Sequence, residues 1–212
     1  MRRGLIVAVA VLVAGCSGGV EGTAVPAPTG GLDSVLLNDV ELDDLMHTSG
    51  FHSEPDGKDF TDELAKGTRP PGCVHTVGIA DRNIYRDAGP TSVLTRSSRS
   101  ATGSVDQSVV VVRSAKEAQR IRDMSELSWD VCVGVPVTTG GSAPATWQRA
   151  PVEVAEDIPT QRSTRSDRPG ERCQHAMAVA VATVVEAMVC APGVTNQAYT
   201  VVTLMAKNAD RS

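Results

Sequence analysis

The run CQHAMAVAVATVVEAMVC, residues 173–190, decides how this chain folds. It is almost wholly apolar, carries one internal carboxylate (Glu186) and has a cysteine at each end. Its β-branched density (Val179, Val181, Thr183, Val184, Val185, Val189) favours strands over a buried helix. A membrane span needs roughly 20 apolar residues, and this run is shorter and interrupted by Glu186. With Cys173 opposite Cys190, it becomes an antiparallel hairpin. His175 then faces Met188, Met177 faces Glu186 and Val179 faces Val184 on one side. The other side sets Ala176, Ala178 and Ala180 against Ala187, Val185 and Thr183, which lets a helix pack close. Opposed Cα atoms in such a ribbon lie roughly 4.5–5.5 Å apart, within disulfide reach. The turn falls near Ala180-Val181-Ala182, without the Gly, Asn or Asp that tight hairpins prefer.

At the start of the chain, Arg2 and Arg3 precede the apolar run Leu5 to Ala14, which ends Val13-Ala14-Gly15-Cys16. This reads as an export signal over residues 1–15. The cysteine after small residues resembles a bacterial lipobox, which implies a diacylglycerol on the Cys16 thiol and cleavage before it. An ordinary signal peptide with a chance cysteine is the plainer alternative, and Ser17-Gly18-Gly19 weighs against it. Two or three acyl chains make a stable anchor. Residues 16–31, rich in Gly, Pro, Thr and Ala, read as a flexible tether, and 32–212 as one domain.

Net charge is −5, and removing Arg2 and Arg3 with the signal lowers it to −7. An acidic body without a basic run excludes nucleic acid, whose phosphates need clustered Lys and Arg. Five cysteines become four once Cys16 carries lipid, and an even number in an exported chain reads as two disulfides. Three connectivities exist; the hairpin selects Cys173–Cys190 and leaves Cys73–Cys132. No two cysteines have CxxC spacing and His47, His52, His75 and His175 are scattered, so no metal or other cofactor is expected.

Between these landmarks the hydrophobic period alternates. Asn38 and Glu41 form a capping box before Val40, Leu42, Leu45 and Met46, a helix that Gly50 ends. Glu54 to Pro71 reads as a surface loop, and Cys73 to Arg86 as a helix weakened by Gly78. Thr91 to Arg99 and Val105 to Arg113 read as strands. Ser114 caps a long helix with Ala118, Ile121, Met124, Leu127 and Trp129 as its apolar stripe. Val133 to Thr139, Thr146 to Val154 and Arg162 to Ser166 read as shorter strands or edge segments, and Asn196 to Asn208 as a closing helix. Strands and helices mix without βαβ alternation, which gives an α+β fold with an antiparallel sheet.

Pro-Pro-Gly-Cys at 70–73, Trp129-x-x-Cys132, Cys173-Gln174-His175-Ala176, Val189-Cys190 and a closing helix near Asn196-Gln197-Ala198 together resemble the PknH-like extracellular sensor domain. That domain is carried by a mycobacterial serine/threonine kinase and recurs in lipoproteins. The resemblance covers roughly Leu32 to Lys207. It implies an antiparallel sheet with helices, disulfides Cys73–Cys132 and Cys173–Cys190, and a large cleft that takes a ligand. The chain has no kinase domain, so a direct signalling role does not carry over.

Candidate chemistry is sparse. His175 and Glu186 leave the same bulky ribbon face, but they are not directly opposed, and a structural pair explains them better than acid–base catalysis. His47 could pair with Asp43 at helical spacing, although a solvated helix face accounts for both. Trp147 and Arg149 share a strand face and could line a binding cleft; an ordinary core tryptophan with an edge arginine is the simpler account. No GxSxG, HExxH or P-loop occurs. The expected protein is not an enzyme. It is a lipid-anchored binding domain on the outer face of the cytoplasmic membrane, taking a small-molecule or lipid ligand with Trp147, Arg149, His175 and Glu186 as candidate contacts. The alternatives are docking on an envelope protein partner and, least favoured, a hydrolase with an unrecognised site.

Overall fold

The computed structural model describes residues 31–61, 66–140 and 144–211. The export signal, Cys16 and the tether up to residue 30 lie outside the described residues. The 173–190 run forms β7 (Arg172–Ala180) and β8 (Thr183–Ala191) in the expected register: Cys173 pairs with Cys190, His175 with Met188, Met177 with Glu186 and Ala178 with Val185. These two strands are central because both of their faces are buried. Among the described residues eight strands make one antiparallel sheet, in the order β1 (His52–Ser53), β2 (Ser92–Arg99), β3 (Ser104–Val111), β8, β7, β6 (Ile158–Arg165), β5 (Thr146–Ala155), β4 (Val137–Thr138). The fold is α+β, with a layer of helices on each face of the sheet.

The alanine face of the hairpin receives the closing helix α4 (Gln197–Arg211). Ala198, Val201, Val202 and Met205 pack on Ala176, Ala178, Val185 and Ala187, where small side chains let the helix approach. The buried Gln174 amide fixes this docking, since its Oε1 accepts from the Ala198 backbone N–H at 3.0 Å near the start of the helix. Helix α1 (Asp39–Met46) joins the same core through Leu42 and carries the expected Asn38–Glu41 capping box. Val40, expected on its apolar stripe, faces solvent. The opposite, bulky face of the sheet is covered by α3 (Ala115–Val131) and by the segment 71–88.

Four expectations differ from the structure for physical reasons. Cys73 to Arg86 is not one helix. It is a 3-10 helix, Pro71–Thr76, a run of bends, and a four-residue helix α2 (Arg82–Tyr85) capped by Asp81. Ala80 sits at φ 50°, so the chain turns there after Gly78 has lowered helix propensity. Helix α3 buries Ala118, Ile121, Ser125 and Trp129, whereas Met124 and Leu127 point outward. Trp129 and the Cys132 disulfide fix the rotation of the helix, and at 100° per residue Leu127 then lies on its far side. The strand expected at Arg162 to Ser166 starts at Ile158, because Glu156 and Asp157 both adopt positive φ (50° and 62°) and close a tight hairpin with β5. Similarly, Val133 to Thr139 shrinks to the two residues of β4.

The β7–β8 turn is the two residues Val181 and Ala182, with Val181 at φ 51°. A β-branched residue disfavours that conformation through its crowded Cβ. Both disulfides form: Cys173–Cys190 across the hairpin, with Cα atoms 4.0 Å apart, and Cys73–Cys132, at 5.9 Å, tying the 3-10 helix to the end of α3.

Candidate functional site

The bulky sheet face has a covered half and an open half. In the covered half Glu186, 4% exposed, is the centre of a buried polar cluster. Its Oε1 accepts from the Tyr85 hydroxyl and, at 3.3 Å, from the Ala80 backbone N–H. Its Oε2 lies 3.1 Å from His175 Nε2. Burial, reinforced by the adjacent Glu186 charge, holds the Tyr85 phenol well above the usual range, so it stays a neutral donor. His175, 3% exposed, lies beneath Trp129 with ring centroids 4.3 Å apart. Gln161 locks that lid, donating to the Trp129 and Ala150 carbonyls at 3.0 and 3.1 Å. His75 packs nearby, and burial lowers its pKa from the ordinary imidazole value. The diagonal positions of His175 and Glu186 are thus within hydrogen-bond reach, but the pair is sealed beneath α3 and Trp129.

In the open half, a cleft of about 330 Å³ lies over the same face. Its floor crosses five strands: Asp106 of β3, Met188 and Cys190 of β8, Cys173 of β7, Ser163 and Arg165 of β6, Trp147 and Arg149 of β5. Val77, Thr139, Gly140 and Ala145 complete its lining. Gly140 is required in that lining, since a Cβ there would sit 2.3 Å from the Gly67 Cα. The volume is at the lower end of the range of small-molecule sites, roughly 300–1,000 Å³.

The charges on this floor differ in their partners. Asp106 accepts from Arg99 Nη1 at 2.8 Å and Ser97 Oγ at 2.7 Å. Arg165 bonds Asp167 at 2.7 Å and Glu171 at 3.3 Å, and the Asp167 hydrogen bond, with Glu171, raises its pKa. Arg149 makes no side-chain hydrogen bond or ion pair among the described residues, although it is 6% exposed and its Nε is fully enclosed. Burial alone pushes its guanidinium down to about 9, so it remains charged at neutral pH. A β-bulge explains its placement: the β5–β6 register shifts between Arg149 and Val152, at Ala150-Pro151, where Pro151 has no N–H to give the ladder.

The structure therefore places Trp147 and Arg149 together on the cleft floor, and His175 and Glu186 together beneath its covered end. The proposed His47–Asp43 pair does not form: Asp43 instead accepts from the Gly50 and Phe51 backbone N–H groups. Tyr85, Ala80, Gln161 and Asp106 were not legible as site residues, because each arrives from a distant segment and no local spacing marks it. Among the described residues no cluster of His, Cys, Asp and Glu could hold a metal ion.

A family profile described as "PknH-like extracellular domain" matches residues 27–208. Two curated relatives are serine/threonine-protein kinases PknH, from Mycobacterium bovis (strain ATCC BAA-935 / AF2122/97) and Mycobacterium tuberculosis (strain ATCC 25618 / H37Rv). Each is 28% identical over 174 residues, which is 79% of this chain but only 29% and 27% of theirs. The chain thus spans less than a third of the length of those relatives. The crystal structure of the extracellular domain of PknH from Mycobacterium tuberculosis has the same fold, with a TM-score of 0.82 at 23% identity, covering 90% of this chain and 100% of that one.

Proposed function

The chain belongs to the PknH-like extracellular domain family, and from that premise we propose that it is a non-catalytic, lipid-anchored binding domain of the cell envelope, taking a small or envelope-derived ligand in the cleft floored by β3 and β5–β8. The observation that carries this reading is the cleft itself. Five strands and a disulfide hold its floor rigid, and Trp147 and Met188 offer it apolar surface. Catalysis by the His175–Glu186 pair has little support, because a group that acts on a substrate must touch it and this pair is enclosed. Anchoring through Cys16 would hold the domain at the outer face of the cytoplasmic membrane on the 16–31 tether. Screening the full chain against envelope lipids and metabolites by thermal shift tests the binding reading; no stabilisation by any of them would overturn it. Replacing Cys16 with Ala should release the protein from membranes or leave it unprocessed, and unchanged partitioning into detergent would refute the anchor.

A second reading, docking on an envelope protein, is favoured by one observation. Met124, Leu127 and Val131 form an exposed apolar stripe along the outer side of α3, with Val131 78% exposed. Crosslinking in intact membranes should then trap a stoichiometric partner that Leu127→Glu abolishes. A crosslinking pattern unaffected by that change removes this reading.

A further inference from the structure

Arg149 is the unexplained feature of the cleft. Every other charged group on the floor has a counter-charge within hydrogen-bond distance, whereas this guanidinium, 94% buried, has none among the described residues. A buried cation without a partner is unfavourable unless something else supplies the charge. The bulge at Ala150-Pro151 sets it on the floor beside Trp147, where it forms part of the cleft lining. Asp106 is paired with Arg99 and Arg165 with Asp167, so neither floor charge is engaged with Arg149.

Resting on the cleft-binding reading above, we propose that the cleft is an anion subsite: Arg149 receives the carboxylate or phosphate head of a small organic acid, whose apolar part lies along Trp147, Met188 and the Cys173–Cys190 disulfide. Guanidinium suits this task because its planar fork matches both head groups, in single or bidentate contacts. Ser163, whose backbone pairs with Arg149 across the β5–β6 ladder, offers a hydroxyl on the same floor. The acidity of the body as a whole does not oppose this, since a partly enclosed subsite is governed by its nearest charges rather than by the solvated surface.

The chain has two tryptophans, of which Trp129 is enclosed against His175 and Trp147 lies on the cleft floor. Emission from Trp147 therefore reports occupancy. The full chain is titrated with hexanoate, hexyl phosphate, inorganic phosphate and hexanol. Saturable binding of hexanoate or hexyl phosphate, about 10- to 100-fold tighter than hexanol, is expected, as a charge-assisted hydrogen bond supplies. Whichever of the two acids binds more tightly identifies the head group, and saturation by inorganic phosphate alone identifies a free-phosphate ligand. Arg149→Met should abolish the preference for the acids and leave hexanol binding in place; Arg149→Lys should keep part of it. Equal binding of the acids and hexanol overturns the anion subsite while the cleft reading stands. No Trp147 response to any probe overturns the cleft reading and the subsite with it.

Discussion

Replacing Arg149 with methionine should make the ligand-free protein more stable. Burial lowers the guanidinium from its ordinary value to about 9, a fall of roughly 3.5 pH units. That difference corresponds to roughly 5 kcal/mol at 1.36 kcal/mol per pH unit, a ceiling on what burying the charge costs the fold. Both folded and unfolded chains hold the proton at pH 7, so the whole penalty is present there. Methionine keeps a flexible apolar stem and removes the charge, and exchanges of this kind typically recover part of such a ceiling, about 2 kcal/mol. For a domain of this size that is a rise in Tm of about 4–8 °C. Urea unfolding followed by tryptophan emission, in a buffer free of phosphate and carboxylates, measures it. The pH dependence provides a second check. The folded pKa is depressed, so the unfolded chain retains the proton as pH rises past 9, and the wild type gains stability from that point upward. By pH 10 it should recover about 1.4 kcal/mol relative to the methionine variant. A variant less stable than wild type at pH 7, or a difference that does not change with pH, would refute the claim that this charge is unpartnered.

Three further outcomes are expected. Val181→Gly should stabilise by about 1 kcal/mol by relieving the positive φ of the turn, read as a higher urea midpoint; a lower midpoint would show that Val181 is not strained. Removing Cys173–Cys190 or Cys73–Cys132 by paired Ser substitutions should lower stability by about 3 and about 4 kcal/mol in the chain-entropy treatment. The second removal should also weaken ligand binding, since Val77 of the cleft lining follows Cys73 by four residues. His75, whose pKa burial lowers, should make the fold less stable as pH falls below the unfolded imidazole value of about 6.5, where only the unfolded chain readily takes the proton. His75→Gln should flatten that decline, and an unchanged acid limb would exclude His75 as its source.

The central hairpin was readable because its register depends on local arithmetic. A period of two, a cysteine at each end and one alanine face leave a single pairing that buries both sides, and the observed ladder matches it residue for residue. Caps at Asn38 and Ser114 were readable for the same reason, since their hydrogen bonds span three residues. Where the sequence reading failed, a distant contact outweighed the local pattern. Met124 and Leu127 fit a helical stripe, but Trp129 stacking on His175 turned α3 the other way. Cys73 to Arg86 has helical spacing, yet its backbone bends so that Ala80 and Tyr85 can reach Glu186.

From sequence alone came the export signal as an expectation, the α+β class, the paired cysteines and the strand face shared by Trp147 and Arg149. Tertiary structure decided that His175 and Glu186 are enclosed while Arg149 lies on the cleft floor with no counter-charge among the described residues. Whether a polar side chain meets solvent, ligand or a partner depends on segments that approach from 32 to 106 residues away in sequence. Local periodicity carries no record of those approaches.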